Sequence, residues 1–102
     1  MRINPYHPEW YWTMLGGVLY KARRYEDAIE AYKRKANPQT WVLSRLAACY
    51  GQLGRKDEAS AVTAEILRQD PKFTILGQRT ATWNQIDLEH LREGMRKAGL
   101  PE

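Results

Sequence analysis

The side chains that could perform chemistry are few and scattered. Cys49 is the only cysteine, and His7 and His90 are the only histidines. A reactive thiol needs a neighbouring base, and a metal needs a matched ligand set. Two histidines, one of them between Glu89 and Glu93, supply neither. There is no Gly-rich phosphate loop, catalytic triad or spaced carboxylate pair. The expectation is a chain with no catalytic residue, no metal and no cofactor, and therefore no enzyme. What the sequence does hold is four Trp and six Tyr against a single Phe. Trp and Tyr carry a polar handle and favour half-buried positions in grooves and interfaces. Basic clusters stand at Lys21/Arg23/Arg24, Lys33/Arg34/Lys35, Arg55/Lys56 and Arg92/Arg96/Lys97. With interleaved aromatic groups they could track an RNA backbone and stack its bases. Glu26, Asp27, Asp57 and Glu58 are mixed among them, however, and charges so interspersed are more often a solvated face. Nucleic acid is not the expected partner.

Such residues need elements to position them, and 102 residues suit one domain. The balance of 16 Lys and Arg to 12 Asp and Glu gives a net charge of +4. That excess permits an acidic partner without demanding one. No apolar run is long enough to span a membrane, and MRINPYHPEW lacks the apolar core and cleavage site of a signal peptide. A lone cysteine forbids an internal disulfide and points to the cytoplasm.

Apolar residues recur three and four apart throughout, the period of an amphipathic helix. Trp12, Leu15, Gly16, Leu19 and Ala22 form one stripe, and Tyr25, Ala28, Ile29, Tyr32 and Ala36 the next. Leu43, Leu46, Ala47 and Tyr50 form a third, and Ala59, Val62 and Ile66 a fourth. Arg23-Arg24, Asn37-Pro38, Gly54-Arg55 and Asp70-Pro71 separate them, and an X-Pro step is a natural helix boundary. The fold expected is all-α, four helices in two hairpins. KFTILGQRTATW predicts a short helix with an irregular exit. Asn84 or Asp87 then caps a last helix that carries Leu88, Leu91 and Met95 inward, and Gly99 with Pro101 stops it. Glu102 reads as a natural terminus, whereas Asn4-Pro5, so like the two internal junctions, suggests a chain cut from something longer.

The hairpins are copies of one another. Trp12, Leu15, Gly16 and Leu19 match Leu43, Leu46, Ala47 and Tyr50 at an offset of 31 residues, and Ala28 matches Ala59 at the same offset. A constant offset marks an internal repeat. These residues resemble the tetratricopeptide repeat, W-x2-L-G-x2-Y followed by an alanine and a proline, over roughly residues 5–73. The resemblance implies two helical hairpins, about 9–37 and 39–71, a leader at 1–8 and C-terminal capping helices over 72–102. It also accounts for Gly16 and Ala47, which match the small position where the helices of a hairpin cross. Three departures stand out: Arg23 replaces the turn glycine, Lys35 replaces a small residue, and the first hairpin's second helix ends early.

In this family the concave face of the first helices binds a peptide or a helix of a partner. Carried over residue by residue, that face is Trp10, Thr13, Met14, Gly17, Tyr20 and Lys21 in the first repeat. In the second it is Trp41, Ser44, Arg45, Ala48, Gly51 and Gln52. Aromatic groups beside a cation are the ingredients of a binding hot spot. The alternatives are that the C-terminal helices fold into this groove, that Trp10 and Trp41 seal the repeat ends, or that the chain self-associates as a homodimer through its exposed N-terminal edge. Gly17 has two readings, space cleared for a ligand or a tolerated helix glycine. No Asn occupies the positions of the carboxylate clamp found in chaperone-binding members. INPYHPEWYW, LAACYGQLGRKDEA and LEHLREGMRKAGLPE together are similar to the C-terminal region of bacterial adenylate/guanylate cyclase-like proteins. That likeness implies an accessory protein-binding module of a larger signalling protein, without the catalytic domain.

Overall fold

The computed structural model describes residues 9–34, 38–77 and 84–102, with Glu9 and Trp10 as backbone alone. The described residues form five helices and no strand: α1 (Glu9–Lys21), α2 (Tyr25–Tyr32), α3 (Thr40–Leu53), α4 (Lys56–Gln69) and α5 (Gln85–Lys97). Consecutive helices pair as the hairpins α1/α2 and α3/α4, and α2 stacks against α3 to join them.

Small residues set the spacing of these pairs. Gly16 is buried at the α1/α2 crossing, where an added Cβ would lie 2.6 to 2.8 Å from three ring carbons of Tyr32. Ala28, Ala47 and Ala59 are buried at 0 to 1% exposure. Helix axes approach to about 8–10 Å only where side chains at the contact are short. The large groups Trp12, Leu19, Tyr20, Ile29, Tyr32, Val42, Leu46, Tyr50 and Ile66 then fill the space around the crossings.

Both hairpin turns close in the same way. After α1, the Arg23 N–H donates to the Tyr20 carbonyl and the Arg24 N–H to that of Leu19. After α3, Gly54 donates to Gly51 and Arg55 to Tyr50. This is the six-to-one closure that ends many helices, and it needs one left-handed residue. In the second turn that residue is Gly54, at φ 71°. In the first it is Arg23, at φ 62°, where a side chain meets backbone strain. α2 has 8 residues where α4 has 14, so the shortened helix of the first repeat is real. Lys35 and Asn37 lie outside the described residues. Arg55 links the hairpins on the surface, pairing with Glu26 of α2 at 3.0 Å and Glu58 of α4 at 2.7 Å.

The segment after α4 departs from expectation over the part that is described. Residues 73–77 are not helical. Phe73 and Ile75 are buried while Thr74 and Leu76 face outward, a period of two that belongs to extended chain. The C-terminal tail completes it: Ile75 N–H donates to the Pro101 carbonyl at 2.8 Å and Leu76 N–H to that of Glu102 at 3.2 Å. β-Branched residues with acceptors alongside prefer this arrangement to a helical turn. The remainder of the expected short helix, 78–83, lies outside the described residues. Asn84 caps α5, accepting from the Asp87 N–H at 2.8 Å. Leu91 and Met95 are buried, whereas Leu88 is only half-buried.

Candidate functional site: a concave face divided by α5

The face formed by α1 and α3 is split into two unlike parts. Over its C-terminal part lies α5, which packs on α3 as closely as α4 does. The approach is backbone to backbone: a Cβ on Gly94 would overlap the Tyr20 hydroxyl and Ala48, and one on Gly51 would overlap the Gly94 carbonyl. Polar groups fix the crossing. The Tyr20 hydroxyl donates to the His90 carbonyl at 2.7 Å, and Gln52 Nε2 donates to the same carbonyl at 3.3 Å. Tyr25 Oη and His90 Nε2 are 2.6 Å apart, Lys97 Nζ donates to Gln52 Oε1 at 3.0 Å, and Thr63 donates to the Ala98 carbonyl at 3.1 Å. The His90 ring lies 4.5 Å from that of Tyr20. Burial holds the His90 imidazole below its usual pKa, and the nearby Arg23 charge adds to the effect.

Beyond α5 the face is open. A cleft of about 300 Å³ lies between α1 and α3, lined by Thr13, Met14, Gly17, Val18, Lys21, Trp41 and Arg45. Three of these are large apolar groups left in water: Met14 at 62% exposure, Val18 at 59% and Trp41 at 39%. The Trp41 indole is held in place, its N–H donating to Gln39 Oε1 at 2.7 Å, with the Arg45 guanidinium 4.8 Å from its ring centroid. Among the described residues of the lining, the ionisable ones are Lys21 and Arg45.

Of the groove residues expected from the sequence, Thr13, Met14, Gly17, Lys21, Trp41 and Arg45 therefore meet at one cleft. Tyr20, Ala48, Gly51 and Gln52 lie elsewhere, engaged by α5. Ser44 is buried and donates to the Trp41 carbonyl at 2.7 Å, so it supports the cleft from behind. The side chain of Trp10 lies outside what is described. Val18 is the lining residue that sequence reading missed. Its signal was present, because it stands one turn from Met14 and so shares its face. Cys49 is fully buried, and burial pushes its thiol up to about 12, which leaves almost no thiolate near neutrality. Among the described residues no cluster of His, Cys, Asp and Glu could hold a metal. No described helix is long and apolar enough to cross a membrane.

Paired helices repeated at a fixed offset, crossing on small residues and presenting a concave face, define a helical-hairpin repeat protein. The tetratricopeptide repeat family model matches residues 19–78, more than half of the chain, and the chain belongs to that family. Its repeats generally mediate protein–protein interaction and are typically non-catalytic. No curated protein and no solved structure matches the chain.

Proposed function

We propose that this chain is a non-catalytic interaction module that buries a segment of a protein partner in the cleft between α1 and α3. The observation that carries the reading is the exposure of Met14, Val18 and Trp41 around one concavity. Exposed apolar groups are common singly, but a rimmed cluster in a cleft is the usual form of a binding site. Trp41 and Arg45 are the expected hot-spot contacts, since aromatic and guanidinium groups dominate interface energies. Trp10, one turn before Met14 along α1, belongs to the same proposed surface on sequence grounds. In this reading the hairpins at about 9–37 and 39–71 form the working surface, and residues 72–102 close part of it. A role as an accessory module of a larger cytoplasmic bacterial signalling protein rests on the resemblance to cyclase-associated arrays alone.

The test is affinity capture from extracts of the source organism with the native chain and with a Trp41→Ala/Arg45→Glu variant. A partner retained by the first and lost by the second supports the reading. Equal recovery by both defeats it. A second reading is self-association through the same exposed groups, supported by the exposure of Met14 and Val18 on α1, and light scattering that finds only monomer at high concentration removes it.

A further inference from the structure

We propose that α5 is a reversible cover: a helix of this chain that occupies part of the concave face and undocks as one unit while the two hairpins stay folded. The proposal concerns the covered part of the face and holds whatever the open cleft accepts.

Position is the first argument. The array grows by laying the first helix of one hairpin on the second helix of the one before, as α3 lies on α2. A helix that merely ended the array would lie on α4 in the same way. α5 packs on α3 instead and scarcely meets α4. Nor does α4 call for a cover. Ser60 and Thr63 stand 31 residues after Ile29 and Tyr32, so short hydroxyl side chains replace two large buried groups of α2. Ser60 is exposed and Thr63 half-buried. Repeat arrays end on a polar outer face of this kind. α5 is therefore seated on the concave face and not on the end that an array must shield.

The attachment is the second argument. Of the 13 residues of α5, Leu91, Gly94 and Met95 are buried, and Ala98 and Leu100 follow in the tail. Separate polar contacts supply the rest, from Tyr20 and Gln52 to the His90 carbonyl, from Lys97 to Gln52 and from Thr63 to the Ala98 carbonyl. The net effect of each is modest, because water replaces it on release. One group is worse off docked than free. Arg92 Nε is buried with no hydrogen-bond partner among the described residues, although Nη1 of the same side chain reaches Glu89 at 2.9 Å. Gly94 permits the close crossing on Tyr20 and Ala48, yet a glycine in mid-helix weakens α5 on its own. α5 thus keeps its form largely by being seated, the condition for a segment that opens below the global transition. Release uncovers Tyr20, Ala48, Gly51 and Gln52. Ala48 lies one turn beyond Arg45 on α3, so the uncovered surface runs on from the open cleft.

The test combines native-state hydrogen exchange of the whole chain with binding of a labelled synthetic peptide of residues 84–102. In the native chain the α5 amides are expected to exchange about tenfold or more faster than the core amides of α3 at low denaturant, and the two sets to merge only at global unfolding. Tyr20→Phe removes the hydroxyl that donates to the His90 carbonyl and should speed exchange in α5 alone, by roughly tenfold. Gly94→Val places a side chain against Tyr20 and Ala48 and should strip protection from α5 while leaving that of α1 to α4. That variant is expected to bind the peptide, and the native chain to bind it about tenfold or more weakly, because its own α5 holds the seat. Equal protection of α5 and α3 in the native chain overturns the proposal. So does loss of protection throughout the chain in either variant, since the hairpins would then depend on α5. Peptide binding to neither chain, or to both alike, overturns it as well.

Discussion

Replacing Gly16 with alanine sets two effects of known sign against each other. Alanine in mid-helix is better than glycine by about 0.8–1.0 kcal/mol. The new methyl, however, would lie 2.6 to 2.8 Å from Tyr32 Cε1, Cζ and Cδ1, where an ordinary contact starts near 3.4 Å. Either the helices separate or the Tyr32 ring swings from a site where it is only 1% exposed. Overpacking of this kind costs about 1–3 kcal/mol. The balance is a net loss of up to about 2 kcal/mol, or up to roughly 15 °C in melting temperature for a domain of this size. Denaturant unfolding followed by circular dichroism measures it directly. The decisive arm is the same substitution in a Tyr32→Leu background, where the obstructing ring is gone. There Gly16→Ala is expected to stabilise, because only the helix-propensity gain remains. A stabilising Gly16→Ala in the native background, or the same destabilisation with and without the ring, would refute the claim that Tyr32 is what demands glycine.

Arg23→Gly should stabilise the chain by about 1 kcal/mol, since it relieves a left-handed residue that bears a side chain; thermal unfolding reads this, and a loss of stability would contradict it. The docking of α5 should weaken in acid. His90 has a folded pKa below its unfolded value of 6.5, so the unfolded chain binds more protons and stability falls as pH drops below that value, until the folded form also titrates. Hydrogen exchange of α5 amides across that range, with His90→Gln as the unresponsive control, checks the sign. Cys49 should react with a disulfide reagent only as fast as the fold opens, because burial holds its pKa up to about 12; a rate independent of added denaturant would count against this.

The hairpins were legible in the sequence because their causes are local or recur. The 31-residue offset carries Gly16 onto Ala47 and Ala28 onto Ala59, and the turn after α3 announces itself through Gly54. The place of α5 was not legible in the same way. What Gly94 avoids is a hydroxyl 74 residues earlier and a methyl 46 residues earlier, and no periodicity encodes either. The groove positions implied by the repeat pattern therefore divided in a manner the pattern could not foresee. Thr13, Met14, Gly17, Lys21, Trp41 and Arg45 remained around an open cleft, and Tyr20, Ala48, Gly51 and Gln52 became the seat of a helix from the same chain. Phe73–Gly77 was misread for a related reason. The carbonyls that hold it extended belong to residues 101 and 102, far along the sequence.

One feature of the divided face matters for anyone wishing to remodel this molecule. Among the described residues, the lining of the open cleft includes none of Tyr20, Ala48, Gly51 and Gln52, on which α5 sits, and Met14, Val18 and Trp41 protrude instead of bracing the interior. Varying such protruding positions usually changes stability by no more than about 0.5 kcal/mol. A combinatorial library confined to them, with Thr13, Gly17 and everything beneath α5 left untouched, would explore new specificities on a chassis that keeps its own architecture.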